Sequence, residues 1–165
     1  MTNVGPLKFV PVDLKTQEDL CVRFSEDAFI ESFGDANRFH EEDGKGGERY
    51  RVWLRNRLAE DPNSTVIVYA GSRIIGQVTS GRSKADPTTG YVNLYYLIPE
   101  ERGKGHSKHL EAYAEARLKN LGFKKARLSV SPTNVRAIKF YEKYGWRDLG
   151  PRPGHPEVHL MEKQL

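Results

Sequence analysis

The 165-residue sequence predicts a mixed α/β fold: a sheet of six to seven strands, antiparallel in its first half, flanked by about four helices. Three observations predict it. Between Thr65 and Ile98, runs rich in β-branched and aromatic residues are separated by short turn sequences, the pattern of an antiparallel meander. Beyond Pro99, helical and strand patterns alternate, as crossover connections require. The length suits one domain with its own hydrophobic core, so residues 1–165 are read as a single unit.

Leu7 to Val12 reads as a short strand. Thr16 to Phe33 follows as a helix, because Leu20, Phe24, Ala28 and Phe33 fall along one face. Gly34 to Gly47 carries glycines and acids without periodicity and reads as a loop. Arg49 to Leu58 resumes a helix, with Tyr50, Trp53, Leu54 and Leu58 at helical spacing, and Asp61-Pro62 follows it. Thr65 to Ala70 is a β-branched strand, Gly71-Ser72 a turn, and Arg73 to Ser80 the returning strand of a hairpin. Asp86 to Gly90 makes another turn before the strand Tyr91 to Ile98. A helix from Gly105 to Leu121 presents Leu110, Ala114, Leu118 and Leu121 inward and stops at Gly122. Ala126 to Val130 is a strand. Asn134 to Tyr144 is a short helix with Asn134 as its N-cap and Gly145 past its end. Two closing strands, around Trp146 to Leu149 and Val158 to Glu162, flank a Pro/Gly loop from Gly150 to Pro156.

Composition excludes several classes. No apolar run approaches the roughly 18 residues of a membrane span. Met1 to Pro6 lacks the basic and apolar regions of a secretory leader, and the lone cysteine, Cys21, cannot form an intrachain disulfide; a cytoplasmic location is the expectation. The net charge of +4 says less than its distribution. Glu26 to Glu48 holds eight acidic residues against Arg38 and Lys45, whereas Glu101 to Arg127 holds eight Lys and Arg against Glu101, Glu111 and Glu115. The asymmetry suggests an anion held by the second region and a cation met by the first, set against a plain pair of solvated faces.

The segment that carries chemistry is Tyr95-Tyr96-Leu97-Ile98-Pro99-Glu100-Glu101-Arg102-Gly103-Lys104-Gly105-His106-Ser107. A strand ends at Pro99, and a basic, glycine-rich turn opens a helix. Free N–H groups at a helix start bind anions, and glycines let a phosphate approach the backbone, so the segment reads as a pyrophosphate cradle. No window fits a Walker A loop. The dinucleotide fingerprint needs a third glycine where Lys108 stands, and it belongs to the first strand of a doubly wound sheet, not after a meander.

This segment resembles the GNAT family of N-acetyltransferases. That family's pyrophosphate motif, Arg or Gln, then Gly three residues on, then Gly or Ala two further, is matched by Arg102-x-x-Gly105-x-Ser107, with Ser107 departing from the last position. Its second element, a helix that opens on Asn and ends in Tyr-x-x-x-Gly-aromatic, is matched from Asn134 through Tyr141 to Tyr144-Gly145-Trp146. The resemblance is close over Thr65 to Gly150 and looser before it. It implies a GNAT-like sheet splayed at a cofactor cleft, acetyl-coenzyme A as cosubstrate, no metal, and direct attack of an amine on the thioester in a ternary complex. By the resemblance, the backbone of Leu97 and Ile98 receives the pantetheine arm, the Ile98 region polarises the thioester carbonyl, and Arg102, Gly103, Lys104, Gly105, His106 and Ser107 hold the pyrophosphate. Asn134 touches the pantetheine or simply caps its helix, and Tyr141 is the general acid that protonates the departing thiolate.

The strand where relatives often carry a basic carboxylate, Tyr91 to Ile98, has no Asp or Glu; Asn93 and Tyr95 are its polar members. The base is therefore left open among the Glu31 to Asp43 segment, His155, His159 and solvent. Cys21 reads as a small buried residue, not a nucleophile. His106 and His109 read as a surface pair, because a zinc site needs a third ligand that is not in view. A small-molecule amine is the expected acceptor, with the acidic segment to attract it, and a homodimer is the expectation from relatives that pair through their sheets. A CoA-binding sensor without turnover is the alternative, and a nucleic-acid binder using residues 101–127 the second; no nucleic-acid motif supports the latter.

Overall fold

The computed structural model describes residues 6–165; the segment read for a leader lies, apart from Pro6, outside them. The elements are β1 (Lys8–Pro11), α1 (Leu14–Phe33), α2 (Asn37–His40), α3 (Gly46–Glu60), β2 (Thr65–Ala70), β3 (Arg73–Arg82), β4 (Gly90–Leu97), α4 (Ser107–Asn120), β5 (Lys125–Val130), α5 (Val135–Lys143), β6 (Arg147–Arg152) and β7 (His155–Gln164). The strands form one seven-stranded sheet in the order β1-β2-β3-β4-β5-β7-β6. All neighbours pair antiparallel except β4 and β5, which are parallel and joined by the crossover through α4.

The sheet is covered on both faces. Strand side chains alternate between faces, so Val66 and Val68 of β2 enter the larger core with Leu110 and Leu118 of α4, while Ile67 between them joins Cys21 and Leu54 under α1 and α3. Among the described residues no helix is long and apolar enough to cross a membrane.

Three expectations change. The loop predicted over Gly34 to Gly47 contains α2, a single helical turn pinned by Phe39, which is buried against α1 and α3. A Cβ on Gly46 would overlap the Phe39 carbonyl, so the glycine is what lets α3 begin hard against this turn. Leu121, expected inward, is half exposed: Gly122 takes φ +93°, the Phe123 N–H returns to the Leu118 carbonyl at 3.1 Å, and Phe123 fills the core instead. Strands β6 and β7 run on through Pro151 and Pro156, leaving only a tight turn of the predicted Gly150 to Pro156 loop. Pairing of β7 with β5 stops at His159, so Pro156 has no ladder bond to lose on that side.

Candidate active site

The cleft begins where β4 leaves β5. Their pairing covers only Gly90–Val92 against Ala126–Leu128, although β4 continues to Leu97 and β5 to Val130. Asn93 marks the departure. Thr79 of β3 faces Leu94 and Ser80 faces Val92, which leaves Asn93 unmatched as a bulge that bends the strand. Its Oδ1 accepts from a guanidinium N–H of the buried Arg57 at 3.2 Å. At the end of β4 the Ile98 N–H donates to the Ile75 carbonyl at 2.8 Å and the Ile98 carbonyl accepts from the Glu101 N–H at 3.0 Å, so both main-chain groups expected to meet the cofactor are engaged within the fold. Strand alternation turns the main-chain groups of Leu97 and Tyr95 toward the side β5 has vacated.

The glycine-rich turn closes the top of this cleft. Gly103 and Gly105 both adopt positive φ, +77° and +87°, and no heavy atom would meet a Cβ at Gly105. Across the turn and the first helical residues, the N–H groups of Gly103 through Lys108 meet no backbone acceptor among the described residues. That row of free donors at a helix start is an anion site in form. The side chains of the turn divide differently from the sequence expectation. Arg102 folds away from it: Nε donates to the Leu97 carbonyl at 2.9 Å, and the guanidinium pairs with Asp27 and Glu31 of α1 at 2.9 and 3.0 Å. His106 is buried, its Nε2 3.0 Å from Glu101 Oε2, and Glu101 also holds Arg73 at 2.6 Å. The surface pair with His109 is thereby corrected: His106 ties the turn down from inside, because its ring faces Glu101 and not solvent. Lys104 reaches Glu101 at 3.5 Å and stays half exposed. Arg136 of α5, which sequence reasoning passed over, brings its guanidinium within 3.5 Å of the place a Gly103 Cβ would occupy. Its signal was its position, two residues into the helix that opens on Asn134.

The other wall of the cleft is α5 and the residues beneath it. Asn134 caps that helix, its Oδ1 accepting from the Ala137 N–H at 3.2 Å. Tyr141 packs its ring 6.2 Å from Tyr95 and 6.1 Å from Trp146. Burial, with Glu111 and Glu31 nearby, pushes its phenol well above the ordinary tyrosine range. Beneath it lies a polar network that the sequence did not announce. Glu111 of α4, almost fully buried, accepts from Tyr95 Oη at 2.9 Å, Trp146 Nε1 at 2.9 Å and Lys163 Nζ at 2.8 Å. Lys163 also reaches Glu115 at 3.1 Å.

On the opposite face of β4 a cavity of about 350 Å³ opens between α1, the α2–α3 turn and the β3–β4 hairpin, and it reaches Asn93 and Leu94 at the bulge. Of the residues considered as base, Glu41 lines it, whereas His155 and His159 do not. Glu41 is in contact with Arg49, and His159 sits 3.1 Å from Asp148. Cys21 is fully buried, and burial pushes its thiol up to about 12, which removes it as a nucleophile. Among the described residues no cluster of His, Cys, Asp and Glu gathers as metal ligands.

Set against known proteins, residues 26–146 match the model of the Acetyltransferase (GNAT) family. Solved structures share the fold at low identity. The PaiA N-acetyltransferase of Thermoplasma acidophilum, determined in complex with coenzyme A, is 18% identical with a TM-score of 0.76, over 97% of this chain and 99% of that one. An acetyltransferase of Thermus thermophilus is 19% identical with a TM-score of 0.75, over 98% and 99%. A ribosomal-protein-alanine N-acetyltransferase of Brucella melitensis is 14% identical with a TM-score of 0.73, over 97% and 99%.

Proposed function

The chain belongs to the GNAT acetyltransferase family, and on that premise we propose that it moves an acetyl group from acetyl-coenzyme A onto a primary amine of a small molecule, by direct attack in a ternary complex. One observation carries the reading: the unpaired N–H groups of Gly103 through Lys108 stand at the mouth of the cleft that β4 and β5 leave between them. The donors suit a pyrophosphate, with Lys104 and Arg136 as the cations that lie against the turn. Arg102 then serves by shape, clamping the end of β4 to α1, while Gly103, Gly105, His106 and Ser107 contribute main-chain groups.

Acetyl-coenzyme A supplies a thioester whose carbonyl carbon an amine can attack. The protein's part is to position and to move protons. The Tyr95 main chain and the Leu97 N–H, which face the cleft, take up the pantetheine as an added strand would, and an N–H there meets charge growing on the carbonyl oxygen, the Leu97 carbonyl being held by Arg102. The amine enters from the cavity at Asn93 and must arrive neutral, since its lone pair forms the new C–N bond. Its surplus proton leaves through solvent at the cavity mouth, because Glu41, the carboxylate there, is held by Arg49. As the C–S bond breaks, Tyr141 gives the sulfur a proton, and the proton that the newly acylated nitrogen sheds passes through solvent to restore the phenol. Asn134 fixes the start of α5 and so the place of Tyr141.

The basic stretch 101–127 supports this reading over nucleic-acid binding, because many of its cations are matched internally: Arg102 to Asp27, Arg117 to Asp61, Lys119 to Glu115 and Arg127 to Glu162. The test is calorimetric titration with acetyl-coenzyme A, alongside Gly105→Glu. Saturable binding by the wild type and none by the variant is expected, since φ +87° resists a side chain and the carboxylate repels phosphate. No binding by the wild type at millimolar cofactor overturns the proposal.

A further inference from the structure

We propose that the amine this site accepts is a monoamine carried on an aromatic or bulky apolar body, and not a polyamine or aminosugar. The inference rests on the acetyl-transfer reading above and concerns what fills the cavity at the Asn93 bulge. Four rings line that cavity, Phe29, Phe39, Tyr50 and Trp53, and they form a continuous wall. Centroids lie 5.5 Å apart for Phe29 and Phe39, 6.1 Å for Phe39 and Tyr50, and 5.9 Å for Tyr50 and Trp53. The wall is built firmly. Phe39 is buried, Gly46 allows α2 to press on α3, and the Arg57 guanidinium covers Trp53 at 5.6 Å. A volume of about 350 Å³ with such walls suits one ring and a short chain.

The charges around the cavity decide against a polycation. The acidic segment promised an attractor in the sequence, yet Glu41, the one carboxylate that lines the cavity, and Asp43 beside it are taken up by Arg49. Arg49 grips Asp43 with two N–H groups at 2.8 and 2.7 Å and also contacts Glu41. Arg38, the remaining charged residue of the lining, lies 4.4 Å over the Phe33 ring and 3.8 Å from Glu157. A second or third ammonium on the acceptor would meet Arg38 and Arg49 before it found an unpaired carboxylate. The uncharged polar groups of the lining, Ser25, Thr79 and Asn93, are small, which suits a neutral amine nitrogen. Apolar walls with a few polar atoms at the reacting end orient a substrate by its body and select by its shape.

The experiment measures acetyl transfer by thiol release with phenylethylamine, tryptamine, spermidine and an aminoglycoside at matched concentrations, with acetyl-coenzyme A binding followed separately by calorimetry. The expected result is kcat/KM for the arylalkylamines at least about tenfold above spermidine and the aminoglycoside. Trp53→Ala and Phe29→Ala are each expected to raise KM for phenylethylamine about tenfold or more while leaving the acetyl-coenzyme A dissociation constant unchanged, which also shows that the variants fold. Spermidine or the aminoglycoside turned over as well as the arylalkylamines overturns the inference while leaving acetyl transfer intact. So does cofactor binding with no turnover of any arylalkylamine, or an unchanged KM in both variants. Loss of acetyl-coenzyme A binding by the wild type is a different failure and overturns the transferase reading itself.

Discussion

Tyr141 sits under two opposing demands. Burial and the nearby carboxylates Glu111 and Glu31 raise its pKa, so the phenol keeps its proton throughout the range where an amine becomes neutral. The same shift makes it a weaker acid, so in the proposed role its contribution is expected at the lower end of general-acid catalysis. Tyr141→Phe is expected to lower kcat by about 10²-fold with little change in the acetyl-coenzyme A dissociation constant, as read by steady-state kinetics beside calorimetry. The sign of the shift also fixes the pH profile. A group whose pKa is raised loses its proton only above its ordinary value, so kcat/KM rises as the acceptor amine deprotonates and shows no falling limb from Tyr141 up to about pH 10. A descending limb near pH 8 to 9 that disappears in Tyr141→Phe contradicts this. Cys21 is judged by the same kind of argument. With its thiol fully buried and pushed up to about 12, iodoacetamide at neutral pH is expected to leave both the thiol and the activity of the folded protein intact.

At the scale of elements, the site depends on α4 and β4 meeting through a buried carboxylate. Glu111 joins Tyr95 on β4, Trp146 after α5 and Lys163 on β7, so one side chain ties together the strands and helices that bound the cleft. Removing one partner of a buried ion pair leaves the other charge without compensation. Glu111→Ala is expected to cost about 3–5 kcal/mol of unfolding free energy in urea, and Lys163→Met, which strands the more deeply buried Glu111 carboxylate without a cation, at least as much, since Lys163 alone would keep Glu115. None of this was legible in the sequence, where Glu111 looks like one more charge on an amphipathic helix. What it serves is set by three elements distant in the chain. The elements that could be read were those whose signals are local. The β2–β3 hairpin declares itself by β-branched runs around Gly71-Ser72, and α5 by its Asn134 cap and Gly145 stop. The α2 turn could not be read, because a four-residue helix has no periodicity and is held by Phe39 burying itself against two other helices. Similarly, the sequence puts Arg102 and His106 in the glycine-rich turn, but the direction of their side chains depends on Asp27, Glu31 and Glu101.

Across the whole molecule, the opposed acidic and basic regions resolve into a different division from the one their sequence suggests. Asp27 and Glu31 of α1 pair with Arg102, and Glu41 and Asp43 of the α2–α3 turn pair with Arg49, so the carboxylates at the aromatic cavity and beside it are compensated. The glycine-rich turn, in contrast, keeps free N–H donors and has Arg136 beside it. Electrostatic attraction is therefore concentrated on the cofactor side. Exposed charges are screened by salt over a Debye length, whereas ring burial is not weakened by it. Raising sodium chloride from low ionic strength to about 0.5 M is accordingly expected to raise the acetyl-coenzyme A dissociation constant severalfold, and to leave KM for an arylalkylamine nearly unchanged. Arg136→Ala is expected to weaken acetyl-coenzyme A about tenfold and to flatten that salt dependence, since it removes one of the two cations beside the turn. Calorimetry across a salt series with wild type and variant reads both. An equal salt dependence in the two proteins removes Arg136 from the phosphate site, and an acceptor KM that climbs with salt as steeply as the cofactor constant means that the amine, too, is drawn in by charge.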